Sequence, residues 1–68
     1  MATMGERIRR LRLEKGLSAE GLGEKVGATQ VYITNIENGF RTPGSDLTVR
    51  LAEFFGVTTD FILLGKGA

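Results

Sequence analysis

The sequence predicts a small all-α domain built from five short helices. Two observations lead to this prediction: apolar residues recur at intervals of three and four rather than two, and glycines divide the chain into five segments. Each segment opens with a residue that can cap a helix N-terminus and ends at a glycine that can adopt the left-handed conformation. The predicted caps are Thr3, Ser18, Thr29, Gly44 or Ser45, and Thr58, and the closing glycines are Gly16, Gly27, Gly39, Gly56 and Gly65.

The first segment carries the plainest helix signals. Thr3 and Glu6 have the spacing of a capping box, in which each side chain accepts a backbone N–H from the other residue. Ile8 and Leu11 follow on one side of the predicted helix, with the aliphatic stem of Lys15 one turn further on. This side is predicted to face the core.

The second segment has Leu22 and Val26 on its apolar side but two glycines in its interior. Each interior glycine costs about 1 kcal/mol relative to alanine, so packing must hold this helix. A second helix that crosses closely at Gly23 would account for that residue, whereas the sequence gives no reason for Gly21. In the last two segments the apolar positions at helical spacing are Leu47, Leu51 and Phe55, and then Phe61 and Leu64.

Composition excludes several classes of function. A chain of 68 residues has room for a single domain, 1–68, with one core. It contains no cysteine and no histidine, so disulfides, the usual zinc ligands and most nucleophile–base pairs are excluded. We therefore predict no enzyme activity, no metal and no cofactor. The apolar run 61–64 is too short to span a bilayer and the N-terminus has no signal-peptide pattern, which predicts a cytoplasmic protein.

The third segment, 29–38, separates into two sides at about 100° per residue. One side is predicted to face the core and carries Thr29, Ile33, Ile36 and Glu37. The opposite side is uncharged and carries Val31, Thr34, Asn35 and Asn38, with Gln30 at the exposed N-terminal end. Amides can bond the N6 and N7 edge of adenine and a valine can contact a thymine methyl, so this side suits the DNA major groove. The alternative is a polar helix side that is merely solvated.

Glu37 is an unusual residue for a core-facing position near the C-terminus of a helix, where the dipole disfavours an acid. It needs a cation. Arg12 shares a helix side with Ile8 and Leu11 in the first segment, so its guanidinium also points inward and can bind a carboxylate with two hydrogen bonds. The sequence therefore predicts a partly buried Arg12–Glu37 ion pair that fixes the first helix against the third.

With these residues placed, the chain resembles the lambda-type phage repressor and Cro family, also called Xre, over nearly its whole length. The residues that match the family's two-helix motif are Leu22, Val26, Gly27, Thr29, Gln30, Ile33, Ile36, Glu37, Asn38 and Gly39. Those that match its other helices are Ile8, Leu11, Arg12, Gly16, Ser18, Pro43, Leu51, Ala52, Gly56, Val57, Asp60 and Leu64. The resemblance implies a compact five-helix lambda-repressor-like fold with a helix-turn-helix motif at about 18–38 and a recognition helix at about 29–38.

The resemblance also implies a function. A member of this family binds double-stranded DNA sequence-specifically in the major groove and regulates transcription, usually as a repressor, in a bacterial or phage-encoded cytoplasmic protein. The positions that contact base edges are Gln30, Val31 and Asn35, with Thr34 a fourth, and the phosphate positions are Ser18, Thr29, Asn38 and Arg41. Arg12 and Glu37 match an internal ion pair of the family. The chain departs from the family at Ala19, where a glutamine is common, and at Phe40, where a basic residue is common.

One recognition helix contacts only about four or five base pairs, so two copies on a palindromic operator are expected. The predicted dimer surface is the C-terminal part of the chain, because it has more apolar residues than one small core can bury. Its residues are Phe54, Val57, Thr58, Thr59, Phe61, Ile62 and Leu63. In the alternative, Phe61 and Leu64 complete the core and few of these residues stay exposed. A second alternative is a protein-binding module such as an antitoxin, with Phe40 and the C-terminal apolar residues as its contact surface. The sequence leaves open whether the chain is a complete regulator or part of a longer one.

Overall fold

Five α-helices make up the part of the chain that the computed structural model describes, residues 3–67, and each follows its predicted cap. They are α1 (Met4–Glu14), α2 (Ala19–Val26), α3 (Gln30–Glu37), α4 (Ser45–Phe55) and α5 (Thr59–Leu64). Four caps are side-chain oxygens that accept the N–H of the third residue after them, and these caps are Thr3, Ser18, Thr29 and Thr58. Gly44 precedes α4 without a side-chain cap, and all five predicted closing glycines have φ between 70° and 84°.

All five helices contribute to one core. Helix α1 packs against α3 and α5, α2 packs against α3 and α4, and α4 packs against α5. The buried apolar side chains are Ile8, Leu22, Val26, Ile33, Ile36, Leu47, Leu51, Ala52 and Ile62. The apolar residues predicted to face the core from α2 and α3 are among them, whereas Thr29, which the sequence assigns to the same side, is exposed because it caps the N-terminus of α3 at the surface. None of the helices in residues 3–67 is long and apolar enough to cross a membrane.

Helix α5 presents a different side to the core than its spacing predicts. Ile62 is fully buried, Phe61 is half-buried and Leu64 is 63% exposed. Ile62 is therefore a core residue, and its assignment to the dimer surface is wrong because nothing outside the chain can contact it. Arg7 of α1 donates to the carbonyl oxygens of Ile62 (3.2 Å) and Leu63 (2.9 Å), which fixes the end of α5 against α1.

Two buried glycines mark places where the backbone leaves no room for a side chain. A Cβ at Gly23 would collide with the carbonyl oxygen of Ala28 in the turn after α2, so the predicted helix crossing is not the reason for this glycine. A Cβ at Gly5 would collide with the carbonyl oxygen of Ile36. The N-terminal turn of α1 thus lies directly against the C-terminal turn of α3.

Candidate nucleic-acid interface

Helices α2 and α3 are joined by a tight turn of three residues. Gly27 ends α2 with φ 73°, and the N–H of Ala28 donates to the carbonyl of Gly23 at 2.8 Å. Thr29 then starts α3, where its hydroxyl oxygen accepts the N–H of Tyr32 at 3.1 Å. This arrangement lets two short helices pack against each other while the N-terminus of α3 stays at the surface, since Thr29 and Gln30 are both exposed.

The inner side of α3 is fixed by packing and by charge. Ile33 is 0% and Ile36 is 2% exposed. The guanidinium of Arg12 donates to both carboxylate oxygens of Glu37, from Nε at 2.7 Å and from Nη2 at 2.9 Å. Its remaining Nη1 donates to the carbonyl of Leu17 at 2.8 Å. The predicted ion pair is present, and it ties together α1, the loop before α2 and the end of α3.

This ion pair is largely removed from water, because the side chains of Arg12 and Glu37 keep 12% and 6% of their exposure. The hydrogen bonds that Arg12 donates to the Glu37 carboxylate raise the pKa of Arg12 above its ordinary value, against the opposing effect of burial. A charge in this environment depends on its partner, because a buried ion without one is strongly destabilising.

The outer side of α3 carries the predicted base-contacting residues. Gln30, Val31 and Thr34 are exposed, with Val31 at 69%, and Asn35 is half-buried. The four side chains supply amide donors and acceptors, a hydroxyl and a methyl surface, but no charge. These are the groups that form direct contacts with base edges, for which a positive charge is not needed.

The predicted phosphate-contacting residues are also at the surface. Ser18 and Thr29 stand at the N-termini of α2 and α3, and Asn38 and Arg41 follow the end of α3; all four are exposed. The hydroxyl oxygens of Ser18 and Thr29 accept the N–H groups of Gly21 (3.0 Å) and Tyr32 (3.1 Å). Each hydroxyl keeps its own proton, which can be donated to an anion beside a helix N-terminus.

Tyr32 is a residue of this region that the sequence interpretation missed. Its hydroxyl donates to the carbonyl of Thr42 at 3.3 Å and accepts the N–H of Gly44 at 3.2 Å. The guanidinium carbon of Arg41 lies 5.5 Å from the centre of the Tyr32 ring. No local signal points to this role, since the bonded partners lie ten and twelve residues further along the chain.

The arginines of α1 do not form a single basic patch. Arg7 and Arg12 bond to α5 and α3, whereas Arg9 and Arg10 remain on the exposed side of α1, where Arg10 pairs with Glu14 at 3.4 Å. Next to Arg41 stands Phe40, which is 77% exposed. The loop after α3 therefore offers one cation beside an exposed aromatic ring.

The α2–turn–α3 unit, supported by α1, α4 and α5, defines a helix-turn-helix domain. A family model described as a helix-turn-helix domain matches residues 3–61, and the chain belongs to this family. It is 30% identical over 64 residues to the HTH-type transcriptional regulator ImmR of Bacillus subtilis, a match that covers 94% of this chain and 50% of ImmR. The chain thus spans half the length of that relative.

Comparison with solved structures also places the chain among regulators of this fold. The P22 c2 repressor in complex with a synthetic operator is similar with a TM-score of 0.92 and 29% identity, over 97% of this chain and 100% of that one. SinR in its complex with SinI is similar with a TM-score of 0.84 and 31% identity, over 94% of this chain and 63% of that one. The predicted fold and the predicted family of repressor-type regulators are confirmed.

Proposed function

We propose that this domain binds double-stranded DNA sequence-specifically by inserting the outer side of α3 into the major groove. The observation that carries the proposal is the exposed, uncharged side of α3, in a fold that matches an operator-bound repressor with a TM-score of 0.92. Gln30 and Asn35 contact base edges through their amides, Val31 contacts thymine methyl groups, and Thr34 adds a hydroxyl. The inner side of the helix keeps these groups in register with the rest of the domain.

Ser18, Thr29, Asn38 and Arg41 contact phosphates on either side of the groove and set the position of α3. Contacts of this kind fix register and orientation without carrying sequence information. Arg41 is the only cation among them, and the net charge of the chain is +1. Since each neutralised phosphate contributes about −0.9 to the slope of log affinity against log salt, we expect weak non-specific binding and a shallow slope.

The protein acts as a dimer on a palindromic operator and represses transcription. The exposed or half-buried members of the predicted dimer surface are Phe54, Val57, Thr58, Thr59, Phe61 and Leu63. Phe54 is partly covered within the chain, because it packs against the core, and the Lys15 ammonium lies 5.4 Å from the centre of its ring. The exposed Leu64 at the end of α5 extends this surface. Sedimentation should show one chain per half-site on a palindromic duplex; a single chain on the whole duplex would exclude the dimer.

Selection of bound duplexes from a random pool, followed by affinity measurements on the selected sequence, tests the assignment of roles. Gln30→Ala and Asn35→Ala should relax the preference at particular base pairs. Arg41→Ala should weaken binding to all sequences equally and reduce the salt slope by about 1. Leu13→Ala is the control, since this exposed leucine of α1 lies outside the motif. Equal, sequence-independent losses of affinity from Gln30→Ala, Asn35→Ala and Arg41→Ala would contradict the proposal.

A second function has one supporting observation, the similarity to SinR in its complex with SinI. In this candidate the domain also binds a protein through its exposed apolar side chains, of which Phe40 and Leu64 are the most prominent outside α3. A Phe40→Ala or Leu64→Ala variant that loses such a partner while it keeps DNA affinity would support this function. Loss of DNA affinity from Phe40→Ala would instead assign that residue to the DNA interface.

A further inference from the structure

We propose that Tyr32 is a positioning residue that holds the loop after α3, residues 39–44, in the conformation that presents Arg41 to a DNA phosphate. This inference rests on the proposed DNA binding and extends it to a residue that makes no contact with DNA itself. It assigns a function to a side chain that lies next to Val31 in sequence but is directed toward the loop.

The loop is held at both of its ends. At its start, the carbonyl oxygen of Asn35 accepts the N–H groups of Phe40 (2.8 Å) and Arg41 (3.2 Å). Further on, the Tyr32 hydroxyl bonds the backbone on both sides of the buried Pro43, at the carbonyl of Thr42 and the N–H of Gly44. A single phenol thus bridges α3 to the point where the chain enters α4.

The same side chain also supports Arg41. The guanidinium lies over the Tyr32 ring at 5.5 Å from its centre, within the range of a cation–π interaction. An arginine in a free loop would lose its rotamer freedom on binding a phosphate, whereas one already ordered on a ring loses less. The hydroxyl orders the backbone that carries Arg41 and the ring orders its side chain, so both parts of Tyr32 prepare the same contact.

A double-mutant cycle between Tyr32 and Arg41, measured on the selected duplex and on a non-specific duplex, tests the inference. Tyr32→Phe removes the two hydrogen bonds and keeps the ring, and should weaken binding to both duplexes alike by about three- to tenfold. Tyr32→Leu removes the ring as well and should weaken binding further. In an Arg41→Ala background both substitutions should change affinity less than twofold, because the contact they prepare is already absent.

Thr48→Val is the matched control. The Thr48 hydroxyl donates to the carbonyl of Gly44 at 2.9 Å, so this variant removes a hydrogen bond to the same loop residue from the side of α4. It should lower the stability of the fold and leave DNA affinity unchanged. A loss of affinity from Thr48→Val equal to that from Tyr32→Phe would show that any weakening of the loop has this effect, and would overturn the specific role of Tyr32.

Amide exchange at Gly44 gives a readout that does not require DNA. The N–H of Gly44 donates to the Tyr32 hydroxyl, so Tyr32→Phe should speed the exchange of the Gly44 amide. Amides on the buried side of α3, such as that of Ile36, should keep their protection. Faster exchange at Gly44 with unchanged DNA affinity, or equal losses with and without Arg41, would overturn the positioning role while DNA binding stands. A wild-type chain that binds no duplex would overturn DNA binding itself and this inference with it.

Discussion

The two sides of α3 differ in their surroundings, because one packs inside the domain and the other faces solvent. The inner side is closed, since Ile33 and Ile36 are buried and the Glu37 carboxylate is fully engaged by Arg12. The outer side presents Gln30, Val31 and Thr34 to solvent. Substitutions on the inner side should therefore change the free energy of unfolding, and those on the outer side should change DNA binding alone. The difference shows how an eight-residue helix can be held rigidly and still offer most of one surface to a ligand.

The largest effect is expected from Glu37→Gln, which leaves the Arg12 charge without its partner in a site that is mostly closed to water. We expect a loss of about 3–5 kcal/mol in the free energy of unfolding, measured by urea denaturation. The double variant Arg12→Met with Glu37→Met is the control and should recover most of this loss, because no charge is stranded. If the double variant is as unstable as Glu37→Gln, the loss comes from the missing attraction rather than from a stranded charge.

Gly5→Ala tests the contact between α1 and the end of α3. The added methyl group would collide with the carbonyl oxygen of Ile36, and we expect a loss of about 1–3 kcal/mol in the free energy of unfolding. Gly21→Ala is the control. Its methyl group would meet the Ser18 side-chain oxygen at 3.3 Å, which a small movement relieves, so its effect should be smaller. A loss from Gly5→Ala that is no larger than that from Gly21→Ala would contradict the close contact between α1 and the end of α3.

Thr29→Ala and Thr3→Ala compare two helix caps with the same local role. Each hydroxyl accepts the N–H of the third residue after it, and each loss should cost about 1 kcal/mol of stability in thermal or urea unfolding. Thr29 also belongs to the proposed DNA interface, so only Thr29→Ala should lower DNA affinity at a temperature where both variants are folded. A loss of affinity from Thr3→Ala of the same size would mean that stability, rather than contact, controls binding.

The smallest effect concerns acid. Hydrogen bonds from the backbone N–H and the hydroxyl of Thr3 lower the pKa of Glu6 below its ordinary value of 4.5. A carboxyl whose pKa is lower in the folded state stabilises the fold above its unfolded pKa, and this contribution disappears as the pH falls through the folded value. The stability difference between the wild type and Glu6→Gln should therefore shrink below pH 4.5. A difference that is constant from pH 7 to pH 3 would contradict this cause.

Much of this architecture follows from local sequence rules. Four helix caps are side-chain oxygens that bond N–H groups three residues away, and glycines follow every helix, so all five helices could be placed from the sequence. The Arg12–Glu37 pair could be predicted because two inward-facing charges of opposite sign on neighbouring helices would each be buried without a partner unless they pair. These features need no knowledge of distant contacts.

The rest depends on contacts between residues far apart in the chain. Helix α5 has six residues and four consecutive apolar ones, 61–64, so spacing alone cannot decide that Ile62 is buried and Leu64 exposed. The reason for Gly23 is a carbonyl in the following turn, and the role of Tyr32 comes from a loop ten residues away. The predicted roles in DNA contact concern a partner outside the chain, which neither propensity nor packing specifies.

The side-chain amides offer the most direct test of the two-sided account of α3. The chain contains one glutamine, Gln30, and two asparagines, Asn35 and Asn38, so the side-chain amide signals in a 15N correlation spectrum all come from the proposed interface. On titration with duplexes that differ at single base pairs, the Gln30 and Asn35 signals should shift differently for each duplex, and the Asn38 signal should shift alike for all. Saturating DNA that leaves the Gln30 and Asn35 signals at their free positions would contradict the account.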